Sequence, residues 1–193
     1  IEYFRDRTDV QILIRPHPAE TLIGTKAGYW NLILEHFGPS LPDNVSVISA
    51  DDNVNSFTVI DMTQVGVVNT STVGLEMAIM GKQALLVAET HYRNKGFTND
   101  ITSPQHFFET IENSLEKPML TDQQQELAKK YFYMMMFLYQ KHLPVRYEND
   151  VFQGYSAASF GELSETEPLL QVISDLTNGH SDDFVRWPPP PTQ

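Results

Sequence analysis

Three polar clusters in the sequence combine residue types that could bind an anion. They are the Arg-Pro-His-Pro segment 15–18, the hydroxyl-rich segment 69–74, and segment 89–96, which carries His91, Tyr92, Arg93 and Lys95. Hydroxyls next to free main-chain amides donate hydrogen bonds without adding charge, and guanidinium and imidazole groups add positive charge. A phosphate-bearing ligand is the chemistry that these groups indicate together.

The second cluster contains Thr70, Ser71 and Thr72 at a predicted junction between a strand and a helix. A hydroxyl at such a position either caps the helix or joins the free amides and the helix dipole in binding a phosphate. Gly74 leaves room for a ligand or a neighbouring backbone to approach. Capping and phosphate binding both remain open from the pattern alone.

The other candidate residues also have two interpretations each. His17 lies between two prolines that fix its backbone, so it either has a structural role or faces a phosphate; Arg15 either binds an anion or flanks the strand. Glu76 either stabilises the start of its helix or accepts hydrogen bonds from ribose hydroxyls. Segment 89–96 is either a solvated loop or a contact for an anionic substrate.

Short apolar runs alternate with helical patterns over the first 140 residues. We expect strands at 10–14, 45–49, 65–69 and 84–88, and helices at 19–37, 55–62, 73–80, 103–115 and 121–142. This alternation predicts an α/β fold with a Rossmann-like parallel sheet flanked by helices. Ligands bind outside the carboxyl ends of the strands in such a sheet, and the three polar clusters follow the first, third and fourth predicted strands.

The composition changes after Pro144. We expect residues 1–144 to form one domain and residues 145–193 to form an acidic extension, with two basic and eight acidic residues. A helix at 165–176 is predicted there, followed by irregular chain and a stiff proline-rich end. The sequence begins without methionine, so we also expect it to be a piece of a longer protein.

Composition and motifs exclude several classes of function. The 25 acidic residues outnumber the 13 basic ones, which disfavours a nucleic-acid partner. There is no cysteine, and neither metal-ligand spacing nor a membrane-length apolar run occurs. The dinucleotide fingerprint, the P-loop and the serine-hydrolase elbow are also missing. We therefore expect neither a metal nor a resident cofactor.

The candidate residues lie within motifs that follow one another in a characteristic order. These are Ile14–Pro18, Ser71–Glu76, Gly81–Lys82, Tyr92 and Gly96–Asp100. The set resembles the bacterial capsule polysaccharide biosynthesis family, which includes the β-Kdo transferases. It is more distantly similar to the CMP-sialic acid transferases and the CDP-glycerol glycerophosphotransferases. The resemblance spans about residues 10–118.

The resemblance implies the C-terminal half of a GT-B glycosyltransferase, the half that binds the nucleotide-sugar donor. His17, Ser71 and Thr72 would contact the donor's phosphate, with Arg15 and Thr70 beside them. Glu76 would bind the ribose, and the loop with Tyr92, Arg93 and Lys95 would face the substrate. The donor would be a CMP-activated acidic sugar, used as a substrate and transferred to a saccharide acceptor.

The resemblance also implies a partner and a location. The acceptor-activating base is expected in an N-terminal half of the same protein, so the catalytic residues are unknown and this chain alone should bind a nucleotide and catalyse little or nothing. The full-length protein is expected in the cytoplasm, either free or peripheral at the inner membrane. The alternatives are a non-catalytic nucleotide or sugar-phosphate binding module of an export complex and a CDP-glycerol-dependent phosphotransferase.

Overall fold

The computed structural model describes residues 1–17, 28–50, 52–138, 145–148 and 151–155. Contacts within the chain separate two compact units, Ile1–Val59 and Ile60–Gln193. The strands are β1 (Ile12–Ile14), β2 (Val45–Val47), β3 (Val65–Val68), β4 (Gln83–Leu86), β5 (Asn99–Asp100), β6 (Val145–Glu148) and β7 (Val151–Tyr155). The α-helices are α1 (Tyr29–Phe37), α2 (Ser56–Met62), α3 (Val73–Ile79), α4 (Pro104–Glu116) and α5 (Asp122–Tyr133).

The first unit contains β1 and β2 paired in parallel, with Leu13 opposite Ser46. Helix α1 ends where Gly38 adopts a φ of +74°, a left-handed conformation that glycine tolerates best. The Gly38 amide donates to the Leu34 carbonyl at 2.9 Å and closes the last turn. The end of this helix predicted at residue 37 is therefore confirmed.

A buried asparagine holds the beginning of the chain onto this unit. The Asn44 Nδ2 atom donates to the carbonyls of Phe4 (2.7 Å), Arg7 (3.1 Å) and Val10 (3.1 Å). Asn44 is only 7% exposed, so these main-chain oxygens receive a donor where water is largely excluded. The Asn44 side-chain amide therefore holds residues 4–10 in place, although these residues belong to no strand of a sheet.

The second unit contains β3, β4 and β5 in that order, all parallel, and the antiparallel pair β6 and β7. Leu85 and Leu86 of β4 are completely buried, as expected for the central strand of a parallel sheet. The core next to β4 combines α3, α5 and the loop between β4 and β5. Its buried members are Val68, Leu75, Ala78, Leu86, Tyr92, Phe97, Ala128 and Tyr131.

Two helices begin with a hydroxyl side chain as their cap. The Ser103 hydroxyl accepts from the His106 amide at 3.1 Å, and Pro104 follows at the first helical position. Thr121 and Gln124 form a reciprocal capping box at the start of α5. Helix α5 ends at Tyr133 and a π-helical turn continues to Leu138.

The α/β class with parallel strands and flanking helices is confirmed, and the predicted strands are found with ends shifted by at most two residues. Strands β5, β6 and β7 were not predicted. Residues 18–27, 139–144 and 156–193 lie outside the described residues, and with them parts of the first and last long predicted helices and the helix expected at 165–176. The division into 1–144 and 145–193 and the GT-B architecture stay predictions.

None of the helices in the described part of the chain combines the length and the apolar character needed to cross a membrane.

Candidate functional site

Two of the three polar clusters leave the same edge of the second unit's sheet. Val68 at the end of β3 is the register partner of Leu86 at the end of β4. Residues 69–72 follow the first of these strands and residues 87–98 follow the second. Because the strands are parallel, both segments begin at their carboxyl ends, where open α/β sheets bind ligands.

Ser71 and Thr72 form the turn into α3. The Ser71 Oγ accepts a hydrogen bond from the Val73 amide at 3.3 Å, which forms a local serine turn just before the helix. Thr72 occupies the N-cap position with helical angles and makes no side-chain cap; its Oγ1 donates to Glu76 Oε1 at 3.1 Å. Thr72 and Glu76 are thus joined by a hydrogen bond, with Ser71 beside them on the same turn.

The first amides of α3 already have partners within the protein. The Leu75 and Glu76 amides both donate to the Thr72 carbonyl, at 2.9 and 3.1 Å. The Gly74 main chain lies against the Tyr92 hydroxyl, where a Cβ atom would be only 2.7 Å away. With Val73 bound to Ser71, three amides at the start of α3 have partners within the protein. We therefore expect an anion at this edge to be bound mainly by hydroxyl groups.

Tyr92 is completely buried and fixes this turn from the neighbouring loop. Its hydroxyl donates to the Ser71 carbonyl, and burial raises the pKa of Tyr92 to about 12. Gly74 is needed beside the ring, because a Cβ atom there would lie 2.7 Å from the Tyr92 hydroxyl. The close approach expected at Gly74 is thus made by a tyrosine side chain, and Tyr92 positions the turn instead of lying on the surface.

Arg93 is the second residue of this loop with an internal role. Its side chain is 10% exposed. The guanidinium donates to the carbonyls of Ile101 (2.6 Å), Leu86 (3.2 Å) and Ala88 (3.3 Å), and it pairs with Glu89 at 3.3 Å. Arg93 therefore connects the end of β4 to the segment that follows β5. Lys95 is partly exposed and His91 is exposed, so these two residues lie on the surface of the loop.

The remaining predicted residues belong to the first unit. The Arg15 guanidinium donates to Ser56 Oγ and to the Val54 carbonyl, both at 2.6 Å, which connects the end of β1 to the start of α2. His17 is exposed and follows the buried Pro16, whereas Pro18 lies outside the described residues. The predicted meeting of His17 with Ser71 stays a prediction, because each unit is described by itself.

Lys82 has a role that sequence reasoning missed. Its Nζ atom donates to the carbonyls of Ile60 and Thr63, both at 2.7 Å, and to the carbonyl of Asp61. These oxygens belong to the last turn of α2, where helical carbonyls lack partners and a cation is favourable. The sequence alone does not indicate this role of Lys82, because the carbonyls that accept its hydrogen bonds are about 20 residues away along the chain.

In the part of the chain that the structure describes, no three histidine, aspartate or glutamate residues are placed to hold a metal ion. The expectation that no cofactor is needed stays a prediction.

Comparisons with known proteins return no family: no family model matches the sequence, and no curated protein or solved structure matches it significantly. The class defined by the fold is an α/β protein with parallel strands.

Proposed function

We propose that this chain is the donor-binding domain of a glycosyltransferase that transfers an acidic sugar from a CMP-activated donor during surface polysaccharide synthesis. The proposal includes a GT-B architecture with an N-terminal half of the same protein, and a cytoplasmic location with possible peripheral attachment at the inner membrane. The observation that carries it is the placement of Ser71, Thr72 and Glu76 on one turn after β3, where Thr72 is hydrogen-bonded to Glu76.

The hydroxyls of this group suit a phosphate. Ser71 Oγ accepts from the Val73 amide, so its own hydrogen is left to donate to an anion. Thr70 and Thr72 are exposed on either side of it. Hydrogen bonds to a charged acceptor are stronger than neutral ones, so the Ser71 and Thr70 hydrogens contribute appreciable affinity despite the protein's net charge of −12. The Thr72 hydrogen adds to this affinity when it turns from Glu76 to the phosphate.

Glu76 suits a ribose. Its Oε1 accepts from Thr72, but an ionised carboxylate can accept about four hydrogen bonds in total. Glu76 is half-buried one turn into α3, so a ribose whose phosphate lies on Ser71 and Thr72 would be within its reach. In this proposal His17 contributes an imidazole to the same phosphate from the end of β1.

Calorimetric titration with CMP, CDP, UMP and UDP tests the proposal. We expect selective CMP binding that Ser71→Ala combined with Thr72→Ala weakens by about 1–3 kcal/mol, because charge-assisted hydrogen bonds are lost. Thr58→Ala removes an exposed hydroxyl from α2 and is the matched control, with unchanged affinity. Thermal unfolding of each variant separates lost binding from lost folding, since Ser71 also accepts a hydrogen bond from the Val73 amide at the start of α3.

Other outcomes would replace the proposal. A preference for CDP would indicate a glycerophosphotransferase-like domain, and the absence of binding to all four nucleotides would indicate an interaction module. His17→Ala with unchanged CMP affinity would remove the imidazole from the site while leaving the hydroxyls in place.

A further inference from the structure

His91 and Tyr131 make a reciprocal contact between the loop after β4 and helix α5. The Tyr131 hydroxyl donates to the His91 carbonyl at 2.7 Å, and the same oxygen lies 2.9 Å from His91 Nδ1. The two rings stack at 18° with their centroids 5.9 Å apart. Tyr131 is buried whereas His91 is exposed, so a surface imidazole is fixed by a core residue.

This contact determines where the imidazole carries its proton. A phenol has one hydrogen, and the His91 carbonyl can only accept, so the Tyr131 hydrogen is used there. The contact with Nδ1 is then a hydrogen bond only if Nδ1 donates. The neutral His91 ring is therefore the Nδ1–H tautomer, with its lone pair on Nε2.

The loop also fixes where this basic nitrogen stands. The next residue, Tyr92, is bound to the Ser71 carbonyl, and its ring meets the His91 ring edge-on at a centroid distance of 5.1 Å. His91 thus lies on the loop that leaves the sheet beside the turn of Ser71 and Thr72. It is the exposed ring of this loop, whereas Arg93 is occupied with main-chain carbonyls.

We propose that His91 Nε2 accepts a hydrogen bond from a sugar hydroxyl of the bound ligand. A neutral imidazole with Nδ1 already donating offers an acceptor and no second donor, which matches a hydroxyl and not a phosphate oxygen. This inference rests on the proposed nucleotide-sugar function. The hydroxyl comes from the ribose or from the transferred sugar, and CMP and CMP-N-acetylneuraminate distinguish these sources.

Nitrogen-15 NMR of the histidine rings tests the tautomer without a ligand. When the ring is neutral, His91 should show a protonated Nδ1 and an unprotonated Nε2. His106 is an internal reference of the opposite kind, because its Nδ1 accepts from the Thr102 amide at 3.3 Å. Tyr131→Phe keeps the ring and should remove the tautomer preference of His91. An Nε2-protonated His91 in the unaltered protein would overturn the inference.

Ligand titrations followed by the same signals test the contact. A shift of the His91 Nε2 signal with CMP, without protonation, assigns the ribose; a shift with CMP-N-acetylneuraminate alone assigns the transferred sugar. His91→Phe should weaken the corresponding affinity about 2- to 10-fold, and His106→Gln should leave it unchanged. Protonation of Nε2 on binding, or saturation without a shift, overturns the inference while the proposed function stands. No binding of either compound overturns both.

Discussion

The Tyr92 hydroxyl donates a hydrogen bond to the main-chain oxygen of Ser71, so a buried residue of one loop fixes the candidate site on the next. The two residues are 21 positions apart and follow neighbouring strands. Tyr92 also stacks on Phe97 in the core, at a centroid distance of 6.4 Å. The geometry of the hydroxyl group at Ser71 therefore depends on core packing and not only on the local turn.

Gly74→Ala should destabilise the protein by about 1–3 kcal/mol, because the new methyl group would overlap the Tyr92 hydroxyl and press on Leu86 Cδ2 at 3.1 Å. Chemical denaturation measures this change. Combining Gly74→Ala with Tyr92→Phe should cost less than the sum of the two single changes, since the phenyl ring lacks the overlapping oxygen. Strict additivity would mean that the glycine is required for another reason.

Alkaline stability should depend on Tyr92. Its pKa is raised from 10.0 to about 12, chiefly by burial, so the folded protein holds this proton more tightly than the unfolded chain does. The contribution is complete below pH 10 and is lost as the pH rises from about 10 to about 12. Denaturation midpoints across this range should fall more steeply for the unaltered protein than for Tyr92→Phe; parallel curves would contradict the assignment.

Lys82→Gln should destabilise the protein by about 1–3 kcal/mol, because the carbonyls at the end of α2 lose a charged donor. Lys129→Gln removes an exposed lysine from α5 and is the matched control, with an effect within about 0.5 kcal/mol. Urea denaturation compares the two variants. Equal effects would show that the ammonium group at α2 contributes nothing specific.

Arg93→Gln should cost about 2–4 kcal/mol, because the carbonyls of Leu86, Ala88 and Ile101 lose one shared donor group in a largely dry position. Glu89→Gln should change the stability by less than about 0.5 kcal/mol, since this partner's side chain is 88% exposed. Thermal unfolding of the two variants gives the comparison. A large effect of Glu89→Gln would mean that Arg93 stabilises the protein through its ion pair with Glu89 and not through its contacts with the carbonyls.

The strands and the capped helices could be predicted because their signals are local. Apolar runs such as 65–68 have the length of a buried parallel strand, and Ser103 with Pro104 begins a helix by its own chemistry. Strand β5 was missed because Asn99 and Asp100 are polar and too few to show any period. The hairpin of β6 and β7 lies where the acidic composition suggested irregular chain.

The candidate site was only partly predictable for a different physical reason. Local spacing placed Ser71, Thr72 and Glu76 on one turn, and in the structure a hydrogen bond joins Thr72 to Glu76. The hydrogen bond of Tyr92 to the Ser71 carbonyl and those of Arg93 to the Leu86, Ala88 and Ile101 carbonyls depend on the fold, so the local sequence pattern does not predict them. The sequence therefore favoured a solvated Arg93 in a polar loop, whereas in the fold the main-chain carbonyls around Arg93 need its guanidinium as a donor.

The anchoring of residues 4–10 by Asn44 has a practical consequence for work on shortened versions of this protein. A version trimmed to start at β1 would delete the three oxygens that receive the Asn44 amide group. The hydrogen bonds of Asn44 to these carbonyls would then be lost, at a cost of about 0.5–1.5 kcal/mol each, together with the packing of the buried Phe4. The first ten residues, although they contribute no strand, belong to the smallest version worth expressing.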